Sequence, residues 1–145
     1  VSDAHLSDET KAKIRSMMRQ ISEIESIGDA CYNLSRTLHR KQEQHKVFTE
    51  KQTEDLLEMI NLTDDSLTRM NQVLTGHREE LSITETNRIE RHINDLRDRL
   101  KAENINSINE HQYDYAVGTM FTDLINECEK LGDYVVNVVE ARPGK

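Results

Sequence analysis

The sequence predicts an all-α protein, an antiparallel up-down four-helix bundle, and three observations carry that reading. Turn formers are scarce, with Pro143 the one proline and only five glycines in 145 residues. A strand-rich chain needs turn residues about every ten positions. Apolar residues recur at helical spacing in four separate stretches. Residues suited to start or stop a helix stand at the edges of those stretches. The length suits one domain over 1–145, since compact domains hold roughly 100–150 residues.

The first helix is expected to begin near Ser7, an N-cap followed by Asp8 and Glu9, whose charges suit a helix N-terminus. Met17, Ile24, Cys31 and Leu38 repeat every seven residues, with Ile27 and Leu34 between them, as in a bundle seam. The polar stretch Arg40 to Lys46 is either a helix extension or a turn. Leu56, Ile60, Leu67, Met70 and Leu74 mark a second helix, which Gly76 stops in the C′ role. Ser82 and Glu85 form a capping-box pattern before a third helix striped by Ile89, Ile93, Leu96 and Leu100. The polar stretch Asn104 to Gln112 leads to a fourth helix starting near Asp114, with Tyr113 and Tyr115 stapling its entry. Its seam is Phe121, Leu124, Cys128, Leu131, Val135 and Val138. Cys31 and Cys128 both fall at apolar positions and read as core thiols.

Charge narrows the function. Nineteen Lys and Arg against 27 Asp and Glu leave a net charge of −8. An acid excess of that size argues against binding a nucleic-acid backbone, which needs a basic face, and an anionic lipid surface repels such a chain. No nucleic-acid partner and no direct lipid binding are therefore expected. No enzyme is expected either: there is no Gly-rich phosphate loop, nucleophile elbow or HExxH helix, and none of the six histidines follows a Glu by three residues.

An internal repeat is the informative feature. At an offset of 104, the stretch Ile21 to Asn33 lies over Ile125 to Asn137 with six identities in thirteen positions. Amphipathic helices share apolar positions for physical reasons, but nothing in amphipathicity requires a shared Gly, Asp and Asn. The shared residues even oppose helix stability. Glu25 and Asp29 are like charges at i, i+4, and Glu129 and Asp133 repeat them. Gly28 and Gly132 are glycines inside a helix, each costing roughly 1 kcal/mol relative to Ala. A single acidic pair, such as Glu50 with Glu54, is ordinarily a solvated face; an unfavourable set present twice reads as a site. With Ile24 and Ile27 in the seam, Glu25 lies about 130° and Asp29 about 170° from it at 100° per residue. The acidic stripe is thus expected on the side away from the core, where oxygen donors suit Mg, Mn, Ca, Fe or Zn.

The pattern Glu-x-x-Gly-Asp-x-x-x-Asn resembles the signature of the PhoU family, phosphate-responsive regulators built from two three-helix repeats. From Asn87 onward the runs Arg88 to Arg97, Glu103 to Ile108 and Phe121 to Asn137 are similar to the PhoU-like region that follows the membrane domain of bacterial Na/Pi cotransporters. The resemblance implies a PhoU-like up-down bundle holding the last helix of repeat one and all of repeat two, excised from a longer membrane protein. It implies metal ligands at Glu25 and Asp29 in the first repeat and at Glu129 and Asp133 in the second, with Glu90 beside them. Asn33, Asn94 and Asn137 would be neighbours, and Asn94 stands where the family places a carboxylate. The implied cofactor is a divalent metal (Fe, Zn, Mn or Mg). The implied partner is the membrane transport domain of the same chain, with a homo-oligomer as a further expectation. The implied place is the cytoplasmic side of an inner membrane, and the implied function is regulation of sodium-dependent phosphate transport.

Overall fold

The computed structural model describes residues 5–76 and 82–142, and every regular element among them is a helix. α1 spans Asp8–Glu43, α2 Glu50–Leu74, α3 Ser82–Asn109 and α4 Tyr115–Ala141. The starts follow local capping chemistry. Ser7 Oγ accepts the Thr10 N–H at 3.1 Å, and Asp114 Oδ1 accepts the Val117 N–H at 2.8 Å. α2 opens with a full capping box unread in the sequence: Thr49 Oγ1 accepts the Gln52 N–H at 3.1 Å, and Gln52 Oε1 accepts the Thr49 N–H at 2.9 Å. The expected box at Ser82 rests on a side chain outside the described residues, and Glu85 binds Arg88 at 2.6 Å.

The ends differ more from expectation. α1 continues through the polar stretch to Glu43 before turning at His45, whose φ is 55°. Gly76, at φ +79°, takes the left-handed position after α2, as read. α3 runs on to Asn109 because a polar residue inside its last third is a packing residue. Asn104 is only 5 % exposed; its amide donates to Gly118 O at 3.1 Å and Thr122 Oγ1 at 2.9 Å. The Tyr113 hydroxyl donates to Asn104 Oδ1 and ties the turn to α3. Tyr115 is exposed and staples nothing.

α2 runs antiparallel to α3, and α1 antiparallel to α4. Across α2 and α3, Lys51 meets Glu103 and Glu58 meets Arg99. Across α1 and α4, the contacts run from Gln20 with Val138, near one end, to Arg40 with Asp123 and Lys46 with Asp114 at the other. α4 packs against all three other helices, α2 also against α3, and α1 rests chiefly on α4. The most apolar helix is therefore the middle of the bundle. Its seam residues Phe121, Leu124, Cys128, Leu131, Val135 and Val138 are all buried, as are Ile89, Ile93, Leu96 and Leu100 of α3.

α1 departs from its expected seam. Ile27 and Ala30 are buried in the core cluster built around α4, and Leu34 packs against both halves of the core. Met17, Ile24 and Leu38 are 52 %, 43 % and 45 % exposed, and Cys31 is exposed as well. The heptad register was right for one edge of the stripe only, because α2 and α3 close on α4 and leave the other edge uncovered. Cys31 is thus not a core thiol. Cys128 is one, and burial pushes its thiol up to about 11.

Candidate functional site

The repeated residues first serve the contact between their own helices. Asn33 Nδ2 donates to Glu127 Oε1 at 3.4 Å, and Asn137 Nδ2 donates to Glu23 Oε2 at 3.3 Å. Glu23 and Glu127 are equivalent in the repeat, as are Asn33 and Asn137. Each copy lends its Glu to the other copy's Asn, a reciprocal pair that relates α1 and α4 by a local two-fold. Gly28 and Gly132 lie midway between those two contacts in sequence.

The acidic pairs do not meet, and their surroundings differ. Glu25 and Asp29 lie exposed on α1, away from the core as expected, and neither has an ion-pair or hydrogen-bond partner among the described residues. Glu129 and Asp133 depart from the outward-facing expectation. Both are half-buried in the groove between α4 and α3, because α4 is wrapped on several sides while α1 is not. Gly132 is buried, with the place a Cβ would take lying 3.2 Å from Ile93 Cδ1, whereas Gly28 faces open space.

That groove assembles Glu90, Asn94 and Arg97 of α3 opposite Glu129 and Asp133. Spacings of four and three residues put the α3 trio on one helix face. Asn94 Nδ2 donates to Glu90 Oε1 at 3.2 Å, and the buried Asn94 Oδ1 has no hydrogen-bond partner. The Arg97 guanidinium donates to Glu129 and to Asp98. Burial raises the Asp133 carboxyl to about 7, helped by its hydrogen bond with Glu90 and the negative charge of Glu129. The crowded acids here are balanced in part by the Arg97 guanidinium. Arg97 was not weighed in the sequence, although its distance of seven from Glu90 places it on the same stripe.

Arg97 already occupies Glu129, Asn94 offers one neutral oxygen, and Glu25 with Asp29 lacks a third donor. Among the described residues no three His, Cys, Asp or Glu side chains converge to hold a metal ion. None of the described helices is long and apolar enough to cross a membrane. Compared with protein-family models, curated proteins and solved structures, the chain matches none.

Proposed function

We propose that the chain is a PhoU-like regulatory domain of a sodium-dependent phosphate cotransporter, held at the cytoplasmic face by a membrane transport domain of the same polypeptide. One observation carries the proposal: Glu-x-x-Gly-Asp-x-x-x-Asn occurs twice at an offset of 104. The reading is supported by the contrast between the two copies. Their Glu23/Asn33 and Glu127/Asn137 residues are used in helix pairing, which leaves Glu25, Asp29, Glu129 and Asp133 without a shared packing role. Transport itself would belong to the membrane part, and this domain would adjust uptake to phosphate supply through protein contacts. A stand-alone phosphate-uptake regulator would use the same surfaces without the tether.

A purely structural helical module is the second reading. The reciprocal Asn–Glu contacts favour it, since they explain part of the repeat by packing alone. Deleting the domain from the parent transporter separates the two. The regulatory reading expects sodium-coupled uptake to persist while its dependence on phosphate supply changes. If uptake and its regulation both stay as they were, the structural module takes its place.

A further inference from the structure

A groove lies between the C-terminal half of α1 and the middle of α4. It measures about 260 Å³ and is lined by Asn33, Arg36, Thr37 and Arg40 on one wall and Asp123, Asn126, Glu127 and Lys130 on the other. Its three cations face two carboxylates, so it is locally positive in a chain of net charge −8. The carboxylates are engaged: Asp123 with Arg40 at 3.2 Å, and Glu127 with Lys130 at 3.3 Å and Asn33 at 3.4 Å. Arg36 is left over. Its guanidinium lies 5.8 Å from the Tyr32 ring centroid and has no carboxylate partner among the described residues. Thr37 is 6 % exposed, and its hydroxyl has no hydrogen-bond partner among the described residues. The Asn126 amide is likewise uncommitted.

We infer that this α1–α4 groove binds a tetrahedral oxyanion, inorganic phosphate, between Arg36, Arg40 and Lys130, with the Thr37 hydroxyl and the Asn126 amide as further donors. Guanidinium groups present paired N–H donors that match phosphate oxygens, and ammonium adds a mobile charge. Arg36 supplies the uncompensated positive charge that an anionic ligand neutralises. Arg40 and Lys130 are each about half exposed, and the exposed Arg40–Asp123 pair costs little to rearrange.

The site stands on the charges of the groove and does not require the transporter reading. Its test is a titration of the full chain with inorganic phosphate at constant ionic strength held by chloride, followed through the Arg36 Nε–H and Asn126 side-chain amide resonances. Saturable shifts at both groups are expected. Arg36→Gln should weaken binding at least tenfold, and Thr37→Val, close in shape, severalfold. The helical spectrum of both variants should match that of the parent chain. No saturation up to 10 mM phosphate, or binding that both substitutions leave unchanged, would overturn the assignment. Binding that requires a phospholipid vesicle and fails with free phosphate would overturn it too. The regulatory reading fails separately, if phosphate binds here but uptake regulation survives deletion of the domain.

Discussion

Asp133 carries a carboxyl raised well above its ordinary value, chiefly by burial. An acid raised to about 7 in the folded chain, against roughly 4 when unfolded, makes the native state bind more protons between those values. Stability therefore falls as pH rises through that window, and its cost is fully present above the folded value. Acidification from pH 8 to pH 5 should stabilise the protein. Asp133→Asn should raise stability at pH 8 and flatten the rise toward pH 5, as read by urea midpoints across the range. Carboxyls held low act in the opposite direction and only at lower pH, among them Asp114, which accepts the Val117 N–H and pairs with Lys46. An Asp133→Asn chain with an unchanged pH profile would mean that Glu90 and Glu129 do not crowd it. The repeat made Asp133 visible in the sequence, but its half-burial was not legible there. The angle from the seam of one helix cannot report a neighbour lying across another face.

At the scale of helices, existence and order were legible, because capping residues and heptads are local. The long seam of α4 was read correctly for the same reason. What failed was the assumption that every apolar stripe is fully covered. Met17, Ile24 and Leu38 carry the period of a seam but stay exposed, since periodicity records a face and not its occupant. The two glycines test this difference between equivalent helices. A Cβ at position 28 meets open space, whereas one at position 132 presses on Ile93 at 3.2 Å. Gly28→Ala should stabilise the chain by about 0.5–1 kcal/mol, the helix-propensity gain of Ala over Gly. Gly132→Ala should gain clearly less, because the tight contact offsets it. Equal gains in thermal or urea unfolding would show that Ile93 moves freely and that α3 does not grip α4 there. The polar end of α3 was misjudged for a related reason: Asn104 reads as a loop residue by type but is buried at the contact with Gly118 and Thr122.

At the scale of the molecule, α4 is a core helix shared by a three-helix unit and by α1, its own sequence repeat. The repeat thus has two layers. Glu23, Asn33, Glu127 and Asn137 fasten the copies to each other, while Glu25, Asp29, Glu129 and Asp133 serve no common contact. The first layer needed coordinates to recognise, because partners over 90 residues apart leave no local signal. The second layer was legible as a motif and carries the functional proposal. Under the proposed function, the most direct test is phosphate uptake by a sodium-coupled cotransporter carrying this domain with Glu25→Gln, Asp29→Asn, Glu129→Gln and Asp133→Asn together, measured in cells grown with scarce and with abundant phosphate. The regulatory account predicts sodium-coupled uptake that remains but no longer differs between the two supplies. Uptake that still follows supply as in the unsubstituted transporter would contradict it.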